Sequence, residues 1–331
     1  MRVGAAFSAT VTSAAWREEV ERWAAGTLAE RGVRLTGAPD QTRVRPWSTQ
    51  LVVPTDHGPF WVKACCRASA FEPALHRRLA ELLPHAVDAP VATDARRGWM
   101  LTADRGATLG DTRTPTSQDW QDVLALWSRV QHDVRAHRED LLATGLPDCS
   151  PATVPARFDT VLHALTGLGD DHPARLDDAT AGRLVGARGA VEGAAATLAE
   201  ATPAGALQHG DLHPWNVFAV GGGLRVFDLG DAQWAHPLES LEVPRAVVED
   251  SGLAWPPVED AYRTAHEASA GAEERDQWRR LRAASGVTHA VNRAWSWWRL
   301  LAEATDAEWD EWGEAPGRHL SRVVELTAPG A

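Results

Sequence analysis

The segment His209-Gly-Asp-Leu-His-Pro-Trp-Asn216, with the hairpin sequence that follows it, constrains the fold of this chain more than any other feature. Asp211 and Asn216 stand five residues apart, and Asp228 follows Asn216 by twelve residues. The largely apolar run Leu224–Phe227 leads directly into Asp228. This order predicts a polar loop followed by a β-hairpin that ends on a carboxylate.

These residue types at this spacing are the groups that phosphoryl transfer needs. Asp211 could accept the proton of a hydroxyl nucleophile, while Asn216 and Asp228 offer the hard oxygen ligands that Mg²⁺ prefers. Each residue alone could be an ordinary turn or capping residue, but the combination favours a catalytic site. A rival interpretation has His209, Asp211 and His213 bind a transition metal, although no further ligand cluster has metal-site spacing. The sequence therefore predicts Asp211 as the catalytic residue, with Asn216 and Asp228 as Mg²⁺ ligands.

Composition limits the classes of partner. The 331 residues suffice for two lobes, and the net charge of −12 opposes binding to nucleic acid. Three cysteines do not make a disulfide framework, which favours a reducing, cytoplasmic location. No apolar run approaches the roughly 20 residues of a membrane span, so no membrane partner is expected.

The order of predicted elements indicates an α+β fold. An amphipathic helix over 13–31 precedes strand-type runs at Arg34–Val44, Thr49–Pro54, Phe60–Cys65, Pro90–Thr93 and Trp99–Thr102. A helix over 70–83 opens on Ser69-Ala-Phe-Glu72, a capping-box pattern, and a long helix is predicted over 118–143. Further helices follow over 257–326. We therefore expect a helical extension (1–32), a small strand-rich lobe (33–105) and a larger helical lobe (106–331).

A lysine within an apolar strand is the second candidate feature. Lys63 lies in Trp61-Val-Lys-Ala64, where a charged side chain is costly unless it is paired. Its ammonium could bind nucleotide phosphates with Glu72 as counter-ion, or it could reach solvent from an edge strand. Glu72 is also the last residue of the capping-box pattern, and both roles could coexist.

The segment that would cover the phosphates contains no glycine. Between the first strands the chain reads Arg45-Pro-Trp-Ser-Thr-Gln50, so the hydroxyl groups of Ser48 and Thr49, or backbone N–H groups, are the candidate phosphate contacts, with Ser48 taken as the site residue. Thr102 and Asp104 follow a later strand, where backbone groups could contact a purine base. These residues are the expected nucleotide contacts of the smaller lobe.

Together these motifs resemble the aminoglycoside phosphotransferase/choline-kinase-like family, which has a two-lobed protein-kinase-like fold. The segment 209–216 resembles its catalytic loop HGDxxxxN, Val226-Phe-Asp228 its metal-binding strand, and Lys63 with Glu72 its smaller-lobe pair. The resemblance implies transfer of the γ-phosphate of ATP or GTP, with Mg²⁺, to a hydroxyl of a small molecule. The chain departs from the family at Ser240, where a second aspartate is usual.

A polar stripe on one predicted helix suggests where the acceptor binds. His289, Asn292, Arg293 and Ser296 follow helical spacing, with Trp297 beside them. The stripe could line a cavity or be an ordinary solvated face. With Asp231, we take His289, Asn292, Arg293 and Trp297 as candidate acceptor contacts.

The nature of the acceptor stays open in the sequence. An arginine in the pocket would disfavour a polycationic aminoglycoside and favour a nucleoside, peptide or uronic-acid antibiotic, whereas the overall acidity points the other way. The leading hypothesis is an antibiotic O-phosphotransferase of resistance or self-resistance. The alternatives are a metabolic kinase for a sugar, choline-like or amino-alcohol substrate, and a catalytically silent nucleotide-binding pseudokinase.

Overall fold

A computed structural model describes residues 5–270 and 274–328 as a two-lobed α+β protein. The strands are β1 (Asp40–Val44), β2 (Ser48–Val53), β3 (Phe60–Cys65), β4 (Ala92–Asp94), β5 (Trp99–Ala103), β6 (Ala206–Gln208), β7 (Val217–Val220), β8 (Gly223–Val226) and β9 (Gln233–Ala235). The helices are α1 (Phe7–Val11), α2 (Ala14–Ala29), α3 (Glu72–Leu82), α4 (Leu109–Thr112), α5 (Ser117–Asp133), α6 (Arg138–Leu142), α7 (Val154–Thr166), α8 (Asp178–Ala199), α9 (Glu242–Asp250), α10 (Pro256–Ala270), α11 (Arg275–Leu300), α12 (Asp306–Trp312) and α13 (Glu314–Leu326). Within the described ranges, no helix is long and apolar enough to cross a membrane.

The smaller lobe is a five-stranded antiparallel sheet in the order β1-β2-β3-β5-β4. The predicted helical extension forms α2, whose N-terminal cap is Ser13. The Ser13 side chain accepts a hydrogen bond from Trp16 N. One face of α2 shares a buried cluster with the sheet: Val20, Ala24, Leu28, Leu51, Val53, Val62, Ala64, Trp99 and Leu101. The extension is therefore part of the core of the smaller lobe.

The predicted capping box at the start of α3 is wrong. Phe71 is the N-terminal cap, without a side-chain cap bond, and Glu72 is the first helical residue. The Glu72 carboxylate instead contacts Lys63 and the backbone N–H of Leu229. A buried ammonium is a stronger partner for a carboxylate than a solvated helix end, because charge-assisted hydrogen bonds in a low dielectric are stronger.

The long helix predicted over 118–143 is two helices. α5 ends at Asp133, and a 3₁₀ turn over Arg135–His137 leads into α6. α5 opens with a capping box in which Thr116 and Asp119 bond each other's backbone N–H. Apolar spacing continues through the break, which is why periodicity alone suggested one helix.

The larger lobe packs its helices around the predicted loop and hairpin. α5 and α10 lie on one side, while α7, α8, α11 and α13 form a second layer with its own core. Beneath the loop, the Trp127 ring meets His209 edge-on at 5.4 Å, and its Nε1–H donates to Ser240 Oγ at 3.1 Å. Ser240 stands where the family that the sequence resembles has aspartate. Its buried hydroxyl thus accepts a hydrogen bond beneath the loop.

Candidate active site

The predicted loop and hairpin form one side of a cavity of about 480 Å³ between the lobes. The loop joins β6 to β7, and β7 pairs with β8 so that Val217 lies opposite Val226. The Phe227 N–H donates to Asn216 O at 3.1 Å, which ties the two ends of the hairpin together. The hairpin therefore brings Asp228 back beside the loop that carries Asp211.

The predicted ion pair of the smaller lobe is present and includes a third residue. Lys63 Nζ lies 2.6 Å from Glu72 Oε2 and 2.6 Å from Asp228 Oδ1, across the two lobes. Burial would lower the pKa of Lys63, but the Asp228 and Glu72 carboxylates outweigh it and raise that pKa. Lys63 is therefore a charged ammonium that links the smaller lobe to the hairpin.

The backbone at Asp228 is in the left-handed region, with φ of 60°. This conformation costs a non-glycine residue about 1–3 kcal/mol and is concentrated at functional sites. Lys63 holds the Asp228 side chain, and Glu72 Oε1 accepts the next backbone N–H, that of Leu229, at 3.0 Å. Burial would raise the pKa of Asp228, but the Lys63 and Arg43 charges keep it lowered. The neighbourhood thus maintains both the strained backbone and the ionised carboxylate.

Asp211 lies in the same cavity with two basic neighbours. His213 Nε2 is 3.4 Å from Asp211 Oδ2, and Arg293 Nη2 is 3.9 Å from Asp211 Oδ1. Burial would raise the pKa of Asp211, but the His213 hydrogen bond and the Arg293 charge lower it to about 2. The carboxylate is therefore ionised at neutral pH and can accept a hydrogen bond from a hydroxyl.

The donor set of the loop and hairpin fits Mg²⁺. Asn216 Nδ2 donates to Asp211 O at 2.8 Å, an orientation that leaves the amide Oδ1 available. Asp228 uses Oδ1 for Lys63, which leaves Oδ2. Two protein oxygens with room for phosphate oxygens and water are typical of nucleotide-dependent Mg²⁺ sites. The described residues include no cluster of three or more His, Cys, Asp or Glu side chains that could hold a metal, which argues against the transition-metal interpretation.

His209 braces the loop by hydrogen bonds instead of binding a metal. It is fully buried, its Nε2–H donates to Phe227 O at 3.0 Å, and its Nδ1 accepts from Asp211 N at 3.4 Å. Burial lowers the pKa of His209 to about 4, so the ring is neutral. The His209 ring is neutral because one of its nitrogens donates a hydrogen bond and the other accepts one.

Gly210 makes the close approach of the loop to Asp231 possible. Its φ is +83°, and a Cβ there would lie 2.1 Å from Asp231 O.

We expect Gly210→Ala to lower the free energy of unfolding by more than about 1 kcal/mol in urea denaturation. Gly186→Ala within α8 is the matched control, because a Cβ there meets nothing within 4 Å. The control should be neutral or stabilising, and equal losses in both variants would contradict the assignment.

The smaller lobe places the predicted nucleotide residues unequally. Thr102 and Asp104 line the cavity. Ser48 is buried at the start of β2, only 2% exposed, and it is not among the described residues that line the cavity. In the turn before it, Trp47 packs against the larger lobe, 5.3 Å from the Trp297 ring.

Arg43 is a cavity residue that the sequence reasoning missed. Arg43 pairs with Gln50, Gln50 with Lys63 and Lys63 with Met100 across four strands, and all four line the cavity. The Nε of Arg43 is buried and has no hydrogen-bond partner among the described residues. The alternation of side chains along a strand and the register between strands together place Arg43 on the face of the sheet that carries Lys63. The register was not known from the sequence.

Three of the five acceptor candidates meet beside Asp211. Arg293 forms a close ion pair with Asp231, and its guanidinium carbon is 5.5 Å from the Trp297 ring centre. Ser296 Oγ is 3.5 Å from Asp231 Oδ1. The structure therefore groups Asp231, Arg293 and Trp297 together, with Arg293 linking them to Asp211 of the loop.

The solvated-face interpretation of the stripe is wrong, because His289, Asn292 and Arg293 are at most 8% exposed. Asn292 is not brought to the site. Its amide accepts from Arg157 Nη1 at 2.8 Å and donates to Glu239 Oε2 at 2.9 Å, within a buried network. His289 is buried on the same helix face as Arg293, and its Nδ1 has no partner within the described residues.

The two lobes, the lysine shared by two carboxylates and the catalytic loop define a kinase-like phosphotransferase. Residues 144–282, which contain the loop and hairpin, match the model of the family described as phosphotransferase enzyme family. The resemblance to the aminoglycoside phosphotransferase/choline-kinase-like family is thereby confirmed. No curated protein matches this chain by sequence.

Solved structures of this group share the fold along nearly the whole chain. The apoenzyme of macrolide 2′-phosphotransferase MphH from Brachybacterium faecium is 16% identical, with a TM-score of 0.54 over 95% of this chain and 99% of that one. A choline/ethanolamine kinase family protein from Mesorhizobium loti is 15% identical, with a TM-score of 0.58 over 93% and 95%. A thermostable mutant of aminoglycoside phosphotransferase APH(4)-Ia, in ternary complex with AMP-PNP and hygromycin B, is 14% identical, with a TM-score of 0.54 over 95% and 100%. The predicted two-lobed, protein-kinase-like α+β fold is confirmed.

Proposed function

We propose that the protein transfers the γ-phosphate of ATP or GTP to a hydroxyl of a small molecule, with an antibiotic as the acceptor. The observation that carries the proposal is the convergence of Lys63, Asp211, Asn216 and Asp228 on one cavity between the lobes. The names of two structural neighbours, a macrolide and an aminoglycoside phosphotransferase, support an antibiotic acceptor. Phosphorylation would add a charge of roughly −1.5 to −2 to the drug and impair its binding elsewhere.

The smaller lobe would hold the phosphates of the nucleotide. Two protons of the Lys63 ammonium are used by Glu72 and Asp228, and the third remains for a phosphate oxygen. Asn216 and Asp228 would hold Mg²⁺, which supplies charge neutralisation at the phosphate oxygens when bound. Thr102 and Asp104 lie in the cavity wall, where they could contact the base.

Asp211 would act on the acceptor. Its ionised carboxylate accepts a hydrogen bond from the attacking hydroxyl and takes up the proton as the new P–O bond forms. The P–O bond to the nucleoside diphosphate breaks in the same transfer. The Asp211 backbone N–H donates to His209 Nδ1, and this hydrogen bond holds Asp211 in place.

We also place the protein in the cytoplasm. The three cysteines, Cys65, Cys66 and Cys149, are free and buried, which supports a reducing compartment.

Phosphate transfer from γ-labelled ATP and GTP to an acceptor panel tests the proposal. The panel should hold aminoglycosides, macrolides, nucleoside and peptide antibiotics, together with sugars, choline and ethanolamine. Phosphorylation of an antibiotic would support the proposal, whereas turnover restricted to the last three would support a metabolic kinase. Nucleotide binding without transfer to any acceptor would support the pseudokinase alternative.

Arg43 should contribute to nucleotide affinity, because its guanidinium shares the cavity face of Lys63. We expect Arg43→Met to weaken binding of ATP about tenfold or more, since hydrogen bonds to charged groups contribute about 1.5–3 kcal/mol. Adenosine, which has no phosphates, should bind both proteins equally. Isothermal titration calorimetry measures both ligands. Arg96→Met, in the exposed turn between β4 and β5, is the control, and equal losses for adenosine and ATP would refute the phosphate contact.

A further inference from the structure

The Asp211 carboxylate has two basic neighbours among the described residues, one at each oxygen. His213 Nε2 is 3.4 Å from Oδ2, and Arg293 Nη2 is 3.9 Å from Oδ1. The backbone of Asp211 is held separately, because its N–H donates to His209 and its C=O accepts from Asn216. These backbone bonds fix the loop but leave the side chain a choice of rotamers. The position of the carboxylate therefore depends on its two basic neighbours.

Arg293 contacts Asp211 without lining the cavity. Asp211 and His213 are part of the cavity wall between the lobes, whereas Arg293 is not among the described residues that form it. Arg293 lies on α11 and is only 8% exposed. A substrate that occupies this cavity meets Asp211, so the influence of Arg293 on the reaction passes through Asp211.

The guanidinium of Arg293 is itself anchored. Its Nη1–H donates to Asp231 Oδ1 in a close ion pair, and Ser296 Oγ–H donates to the same oxygen at 3.5 Å. The guanidinium carbon is 5.5 Å from the Trp297 ring centre. Burial would lower the pKa of Arg293, but the Asp231 and Asp211 carboxylates outweigh it and raise that pKa. Arg293 is thus a permanent positive charge in a fixed place.

Asp231, the anchor of Arg293, lies against the catalytic loop. A Cβ on Gly210, the residue before Asp211, would lie 2.1 Å from Asp231 O. The loop therefore brings two carboxylates near each other, and like charges repel. Arg293 contacts both carboxylates and offsets this repulsion.

The separation of 3.9 Å between Arg293 and Asp211 suits a positioning role. It is longer than a hydrogen bond, so the guanidinium attracts Oδ1 by charge without occupying its lone pairs. Oδ1 can therefore accept the hydrogen bond of an attacking hydroxyl while the carboxylate is held. A direct, bidentate pair would use the lone pairs that the reaction needs.

We infer that Arg293 is a positioning residue for Asp211: its guanidinium, anchored on Asp231, holds the carboxylate in place for the attacking hydroxyl and contacts neither substrate. This inference rests on the proposed function, in which Asp211 takes up the hydroxyl proton. It gives Arg293 and Asp231 a different role from the acceptor contacts expected from the sequence.

Hydrolysis of MgATP, in which water takes the place of the acceptor, tests the inference. We expect Arg293→Met to lower kcat about 10- to 100-fold, because a misplacement of about 1 Å can cost about 100-fold in rate. KM for MgATP should stay within about twofold. Arg293→Lys keeps the charge and should recover most of the rate. Loss of an acceptor contact would leave hydrolysis unchanged, so a wild-type kcat in Arg293→Met would overturn the inference.

Arg282→Met is the matched control. Arg282 lies on the same helix, and its side chain is 10% exposed, as is that of Arg293. Its ion pairs are with Glu242 and Glu259 instead of the loop. At a temperature where both variants are folded, as thermal unfolding shows, the control should keep the wild-type kcat. An equal loss in the control would trace the effect to the stability of α11 and refute the assignment.

The Asp211→Asn background shows whether Arg293 acts through Asp211. Adding Arg293→Met to that variant should change the hydrolysis rate by less than about twofold, because the carboxylate that Arg293 positions is already gone. Loss of rate by the same factor in both backgrounds would show a role independent of Asp211 and would overturn the inference.

Crystal structures of the wild-type protein and Arg293→Met, both with MgADP, test the inference without activity. We expect the Asp211 carboxylate to be displaced by more than about 0.5 Å, the tolerance within which a catalytic group must be held. A carboxylate that keeps its wild-type position would contradict the positioning role. If the wild-type protein neither hydrolyses ATP nor transfers phosphate, the proposed function fails, and these two structures still decide whether Arg293 positions Asp211.

Discussion

Replacing Asp211 by asparagine is expected to lower kcat for phosphate transfer about 10²–10⁴-fold, the contribution of a positioned proton acceptor. An amide has nearly the same shape but cannot take up the hydroxyl proton. The Kd of ATP should stay within about twofold, because Lys63 and Asp228, which would bind the phosphates and Mg²⁺, are separate side chains. Steady-state transfer assays and calorimetric titration with MgATP measure the two effects.

A matched control separates this effect from the loss of one negative charge. Asp122→Asn removes a charge from the exposed side of α5 and keeps the oxygen that accepts from Gln118 Nε2. It should retain the kcat of the wild-type protein. Phosphate transfer by Asp211→Asn at the wild-type rate would contradict the proposed role of Asp211 as proton acceptor.

Replacing Asp228 by asparagine should lower kcat/KM about 100-fold or more, because a metal ion supplies several kcal/mol of charge stabilisation. The variant keeps a side-chain oxygen for Lys63 but removes the anionic ligand. Asparagine also tolerates the left-handed backbone at φ of 60°, so the hairpin should be retained. The fold is checked by the temperature of thermal unfolding.

Magnesium dependence distinguishes a ligand role from a structural one. In the wild-type protein, Mg²⁺ should strengthen ATP binding, and in Asp228→Asn this gain should largely disappear. Glu72→Gln provides the comparison, because it perturbs the same lysine but supplies no proposed metal ligand. An equal gain from Mg²⁺ in wild type and Asp228→Asn would contradict the assignment of Asp228.

The local chemistry of the site follows closely from the sequence. The loop, the hairpin and its terminal Asp228 are within twenty residues, so their relative placement depends on short-range turns and one two-stranded pairing. The pair of Lys63 and Glu72 was also predictable, because an apolar strand cannot bury an unpaired lysine without large cost. The capping-box interpretation of Glu72 failed because the Lys63 ammonium and the Leu229 N–H, which is more than 150 positions away, both bind the same carboxylate.

What lies around that chemistry depended on packing between distant segments. Arg43 joins the cavity only through the register of three neighbouring strands, and local sequence does not specify which face of a sheet turns toward the other lobe. Periodicity showed the polar stripe on α11 but not whether solvent or another helix covers it. Burial of His289 and Arg293 is decided by the helices and the catalytic loop that meet them.

The sequence by itself determined the type of reaction, because the reacting groups are close along the chain and their spacing is imposed by local geometry. Only the tertiary structure decided which distant groups lie near the loop. Arg293 and Trp312 lie on two consecutive helices near one end of the sequence, whereas Trp47 lies in a strand turn near the other end, and long-range packing brings Trp47 against Trp297 and Trp312.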